Sequence, residues 1–219
     1  MTSQQAGLRP ILAEIHRYWF GTLAGPADLP VDKKDMWFTQ SDATDAHIRE
    51  HFAGAVEAAP GFDWNLAELS RDEQIALVVL LDQFPRNLFR GSGEAFARDA
   101  KARAIAGALI AGGKDRFALI EQMFLAIPFE HSEDMADQDR AVWLMAGIAV
   151  EAAESFPDYA RWALDSFIVH RDIIRRFGRF PYRNKALGRT STPEEQAFLE
   201  AKAGANPSNP TEGRSLSGR

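Results

Sequence analysis

The 219-residue chain contains no cysteine. Disulfides, thiolate metal sites and thiol catalysis are therefore excluded. It also lacks an excess of positive charge: 25 basic residues face 31 acidic ones, a formal net charge of −6. Such a chain repels polyanions at long range, so nucleic acid and anionic lipid surfaces are not expected partners. Long apolar runs are missing as well. The densest, Ile75 to Leu81, is far below the roughly 20 residues of a membrane-spanning helix. The first ten residues, MTSQQAGLRP, carry no basic start followed by an apolar run, so export is not expected. A soluble protein of the cytoplasm is the expectation. Asn-Gly and Asp-Gly hairpin turns are absent, and no pair of strands can be picked out. There is no Gly-rich phosphate loop, no dinucleotide fingerprint and no G-x-S-x-G elbow.

What is present is helical periodicity. Leu8, Ile11, Leu12, Ile15 and Trp19 recur at three and four, and Gly21 stops the pattern. Residues 21–41 form a polar connection pinned by Trp37 and Phe38. A second helix spans 42–59, with Ile48, Phe52 and Val56 on one face. Ser70 and Glu73 form a capping box for a third helix, which is apolar all round and hence central. Pro85 disfavours helical geometry at Phe84. Further helices are expected over 93–111, 115–127, 132–155 and 157–177, the last ended by Gly178. In the helix over 132–155 the expected inward stripe is Met135, Val142, Met145 and Ala149. Thr192-Pro193-Glu194-Glu195 opens a short last helix. The expected fold is all-α, with about eight helices in one domain over residues 1–203. The Gly/Ser/Pro/Asn-rich segment 204–219 is expected to be disordered.

Three stretches place ionisable groups where the pattern calls for core. The first runs from Asp82 to Arg90. Asp82 ends the most apolar helix, where a carboxylate opposes the helix dipole at a cost of roughly 0.3–1 kcal/mol. It therefore requires a cationic partner, with Arg86 and Arg90 as candidates, or a function. The second is Pro128-Phe129-Glu130-His131-Ser132-Glu133-Asp134, followed by Gln138. If the helix begins at His131, then His131, Asp134 and Gln138 point inward. If Ser132 caps it, Glu133 and Asp134 merely occupy a favourable first turn. The third holds Arg175, Arg176, Arg179, Arg183 and Arg189 in one short window. Their planar forks suit carboxylate or phosphate. His170 lies on the inward stripe two turns before that cluster. Phe84-Pro85-Arg86-Asn87 is echoed by Phe180-Pro181-Tyr182-Arg183-Asn184.

His47-Ile48-Arg49-Glu50-His51 matches H-x-x-E-H, in which two histidines share a metal. The helix phase gives the buried face to Ile48, Phe52 and Val56, leaving His47 at the side and Glu50 outward. The match is therefore assigned to chance, and no metal ligands are expected.

At the three stretches, together with Tyr18-Trp19-Phe20-Gly21, Ala95-Phe96, Asp99 and Leu187-Gly188-Arg189, the sequence resembles the bacterial DUF924 family. The resemblance runs over about residues 8–200. It implies a tetratricopeptide-like α-α superhelix and no particular reaction or cofactor. The reading that joins these observations is a pocket for a small anion between helix ends. His131, His170, Asp82 and Asp134 are the catalytic candidates, for a hydrolase or transferase needing no redox cofactor. Arg86, Asn87, Glu133, Gln138, Arg179, Arg183 and Asn184 are the binding candidates. The alternatives are a helical scaffold for an acidic peptide and a buried salt-bridge network without a ligand.

Overall fold

The computed structural model describes residues 3–205, with side chains over 5–202. It contains ten α-helices and no strand among those residues. Eight helices are long: α1 (Ser3–Phe20), α3 (Asp42–Ala58), α4 (Arg71–Asp82), α6 (Asp99–Ala111), α7 (Leu119–Glu130), α8 (Met135–Glu151), α9 (Pro157–Phe177) and α10 (Pro193–Ala205). Two are single turns that periodicity does not reveal, α2 (Lys34–Phe38) and α5 (Phe84–Leu88). None is long and apolar enough to cross a membrane. Apart from Gly204 and Ala205, which extend α10, the segment 204–219 lies outside the described residues.

The centre is built from α4 and α7. Every α4 residue from Glu73 to Asp82 is buried, and so is all of α7. Apolarity around the whole circumference lets α4 pack on α1, α3, α5, α6 and α7 at once. From α6 to α9 each helix packs on the next in the chain, whereas in the amino-terminal half α1 packs on α4. The Ser70–Glu73 capping box forms as expected: Ser70 Oγ accepts from Glu73 N, and a Glu73 carboxylate oxygen accepts from Ser70 N. Thr192 and Glu195 repeat the arrangement on α10. Gly21 (φ 70°) and Gly178 (φ 68°) end α1 and α9 in the left-handed region open to glycine. In the connection 21–41, Trp37 is buried and its indole N–H donates to the carbonyl of Trp19 at 3.0 Å. Phe38 sets its edge against Trp162 of α9, with ring centres 5.1 Å apart.

Three helices, α6, α7 and α8, have boundaries that differ from the periodicity. Residues 93–98 are not α-helical. Ser92 caps a short 3₁₀ turn over Gly93–Ala95, and α6 begins only at Asp99. Helix α7 starts later than 115 and runs past Pro128 to Glu130. Proline there removes a single N–H while the buried surroundings keep the helix going. Helix α8 starts at Met135, not 132, because Asp134 is the cap. Its carboxylate accepts from Ala136 N and Asp137 N. The inward face of α8 is correspondingly Gln138, Ala141, Leu144, Met145 and Ile148. Met135, Val142 and Ala149 of the expected stripe are only half-buried.

The cap assigns Asp134 a role in stability. Asp134→Ala is expected to cost about 1 kcal/mol and Asp134→Asn a few tenths, since asparagine retains the acceptor. Chemical denaturation of the two variants checks this.

Candidate functional site

The three polar stretches end α4, α7 and α9, and the fold brings those helix ends together. Asp82 is 1% exposed. Its Oδ1 lies 2.9 Å from His131 Nδ1 and 3.6 Å from Arg86 Nη1, while Oδ2 accepts from the Gln83 amide. Arg86 also donates to the Asp82 carbonyl and closes a two-pronged bridge on Asp99, at 3.0 and 2.9 Å. Burial pushes the Asp82 carboxyl up. The His131 and Arg86 charges and the donated hydrogen bonds outweigh it, and the group is held below the usual carboxylate range. An ionised Asp82 accepts from Nδ1–H of His131.

A second histidine–carboxylate pair stands beside the first. Glu130 is the last residue of α7 and His131 its carboxyl-terminal cap. Glu130 Oε1 lies 2.9 Å from His170 Nδ1 and accepts from Ser166 Oγ at 3.3 Å. The same Nδ1 is 2.9 Å from the Ser166 carbonyl. Both neighbours are acceptors, so Nδ1 carries the hydrogen. Burial pushes His170 down, but the Glu130 carboxylate prevails and holds it above its ordinary value.

Between these groups lies a cavity of about 470 Å³. One part of its wall is polar: Arg86, Glu130, His131, His170, Arg183 and Gln83. Another is aromatic and apolar, with Trp37, Phe38, Ile127 and Trp162. Arg183 is 6% exposed. Its guanidinium carbon sits 4.5 Å from the ring centres of both Phe96 and Phe180. Its Nε has no hydrogen-bond partner among the described residues, and the carboxylate within 4 Å is that of Asp99, 3.8 Å from Nη1. Burial and the neighbouring Arg86 cation push its pKa down.

The model of the bacterial family of unknown function DUF924 matches residues 15–203. The chain belongs to that family. A solved structure of ATU0120, a protein of unknown function from Agrobacterium tumefaciens, is 33% identical to it. That match has a TM-score of 0.71 and covers 89% of this chain and 99% of the other. No curated protein matches.

In this DUF924 chain the two FP-containing echoes act as a pair. Phe84 and Phe180 are both fully buried, and Arg86 and Arg183 both approach Asp99. The other expected site residues fall outside the cavity wall. Asn87 donates to Asp45, which Arg90 also bridges. Asp134 caps α8. Glu133 accepts from Phe180 N and from Arg189, tying the second stretch to the third. Gln138 is buried and donates to the carbonyls of Glu130 and Ser132, so it closes the end of α7. Arg179 forks onto Glu195, and Asn184 donates to Glu195 and Ser191. The arginine cluster is thus dispersed: Arg175 pairs with Asp172, Arg176 with Glu194, and Arg189 with Glu133. Of the five, Arg183 lines the cavity, with Asp99 3.8 Å from its Nη1.

Cavity residues that periodicity passed over include Glu130, Ser166 and the aromatic wall. Trp162, Ser166 and His170 lie at i, i+4 and i+8 on α9, a stripe that a helical reading contains but does not distinguish from core. The H-x-x-E-H match stays on the surface: His47 stacks on Tyr18 at 4.3 Å, and the Glu50 side chain is 78% exposed. The group of three ligand-type side chains that does lie close, His16, Asp72 and Glu121, is a tie between helices. His16 Nε2 bonds Glu121 at 2.7 Å, and Glu121 also accepts from Ala118 N at the start of α7.

The Glu130–His170 pair makes stability depend on pH. A histidine whose folded value is raised above 6.5 stabilises the fold fully below about that pH, and the contribution disappears as pH rises through the folded value. The stability difference between wild type and His170→Gln is therefore expected to be largest in mild acid and to shrink toward alkaline pH. Urea melts of both proteins over a pH series measure it.

Proposed function

We propose that the cavity binds a small anionic molecule anchored by Arg183. The observation that carries this reading is a buried guanidinium that lines a 470 Å³ cavity and has no bidentate carboxylate of its own, Asp99 standing 3.8 Å from Nη1. Burying a cation is costly unless hydrogen-bonded acceptors compensate it. Asp99 supplies charge nearby, but both its oxygens already bond the Arg86 fork. A carboxylate or phosphate in the cavity adds a compensating charge beside the guanidinium.

His131 and His170 complete the proposal as a base and an acid. Asp82 and Glu130 hold their Nδ1 atoms, and each ring lines the cavity. That arrangement suits hydrolysis or group transfer at the bound anion. We favour it over an acidic peptide held along a tetratricopeptide-like groove, because Arg175, Arg176, Arg179 and Arg189 are already paired with carboxylates of the chain. The acidic composition and the lack of cysteine support a cytoplasmic setting.

The test compares Arg183→Met with Arg86→Met. In a purely structural network both arginines are needed for folding. In a binding site they differ. Arg86→Met breaks a buried bidentate bridge and is expected to cost about 3–5 kcal/mol. Arg183→Met removes a cation that has Asp99 at 3.8 Å and two ring faces but no bidentate partner, and is expected to cost clearly less than Arg86→Met. Benzoate or phenyl phosphate should raise the melting temperature of the wild type and not of Arg183→Met. Equal loss of stability in the two variants, with no response to either anion, overturns the reading.

A further inference from the structure

Resting on that reading, we infer that the bound anion is amphipathic: a carboxylate or phosphate head at Arg183 joined to an aromatic body that lies against Phe38 and Trp162. The cavity is divided along its length by two helix faces. On α9 the wall residues are Trp162, Ser166 and His170, in that order. Eight residues of helix separate the first from the last, about 12 Å along the axis. On α7 the wall changes in the same direction, from Ile127 to Glu130 and His131. Ser166 and His170 of α9 bond Glu130 of α7, so the polar ends of the two faces coincide.

Phe96 and Tyr182 also line the cavity, so aromatic surface reaches the Arg183 end as well. At the polar end, Phe180 touches both His170 (ring centres 5.6 Å apart) and Arg183 (4.5 Å), which places the anchor beside the second histidine. At the other end, Trp162 meets Phe38 edge-on at 5.1 Å, and Phe38 meets Trp37 edge-on at 6.2 Å. Trp37 is tied to the carbonyl of Trp19 by its indole hydrogen bond, which holds that ring in place. Phe38 and Trp162 remain only half-buried, which leaves ring surface open to the cavity.

Size points the same way. One water takes about 30 Å³ of liquid volume. A bare oxyanion would leave most of 470 Å³ to water, against the apolar wall. Cavities of about 300–1,000 Å³ suit ligands that bury most of their own surface, with a few polar groups to orient them. Edge-to-face aromatic surfaces favour a planar ring over an alkyl chain, since the ring adds quadrupole contacts to area.

Isothermal titration with acetate, benzoate, 3-phenylpropionate, 4-phenylbutyrate and its neutral counterpart 4-phenyl-1-butanol tests this. For the wild type, 4-phenylbutyrate is expected to bind at least tenfold more tightly than acetate, and the alcohol at least tenfold more weakly than 4-phenylbutyrate. Trp162→Leu and Phe38→Leu should each reduce that aromatic advantage severalfold while leaving acetate unchanged. Trp143→Ser, on the exposed outer face of α8, should alter nothing. Acetate binding that depends on Arg183 with no gain from the phenyl group overturns the amphipathic ligand and leaves the anion site standing. An aromatic gain that survives Trp162→Leu and Phe38→Leu also overturns it. Absence of binding by every acid, or binding indifferent to Arg183→Met, overturns the anion site itself.

Discussion

Two arginines converge on one buried carboxylate. Arg86, from the end of α4, and Arg183, from the turn after α9, both reach Asp99 at the start of α6. Geometry lets only Arg86 use it well. Its planar fork takes both oxygens, while Arg183 is held 3.8 Å away between two phenyl rings. The unequal division matters because a buried guanidinium has five donors and cannot shed its charge to escape the desolvation penalty. A lysine in that position would deprotonate far more readily. An arginine remains charged there, with Asp99 and the faces of Phe96 and Phe180 as its surroundings.

The rest of the site follows from how helix ends are closed. Each of the three polar stretches spans the end of a helix, α4, α7 or α9, where the last carbonyls have no helical partners. Gln138 takes the Glu130 carbonyl at the end of α7, and Arg86 takes the Asp82 carbonyl at the end of α4. Side chains recruited to close the ends also fix the neighbours that face the cavity. Glu133 shows the same economy, joining Phe180 and Arg189 and so holding the turn that carries Arg183. Much of the motif density is thus scaffolding, whereas Arg183, His131 and His170 line the cavity, the two histidines held by Asp82 and Glu130.

Legibility in the sequence depended on how local the deciding interaction is. The capping boxes at Ser70 and Thr192 and the stop at Gly178 are made within a few residues, so residue type and spacing reveal them. The start of α8 illustrates the opposite. Ser132, Glu133 and Asp134 all suit a helix first turn, and Asp134 is the one that caps it; Gln138 and Met145 face inward as expected, but packing buries Ala141, Leu144 and Ile148 beside them and not Val142 and Ala149. The turns α2 and α5 are too short for a period of 3.6 to register. Arg179, Arg183 and Arg189 are equivalent by composition, yet two are held by Glu195 and Glu133 and one is not.

The sequence by itself determined the all-α class, the eight long helices, the burial of α4 and the three polar stretches. Those depend on periodicity, caps and helix breakers, which act over three or four residues. Only the tertiary structure decided which charged side chains close one another and which face a cavity. Asp82 meets His131 across 49 residues, and Glu133 meets Arg189 across 56. Pairings at that range are set by how α4, α7 and α9 pack, and nothing in the local pattern of either partner encodes them.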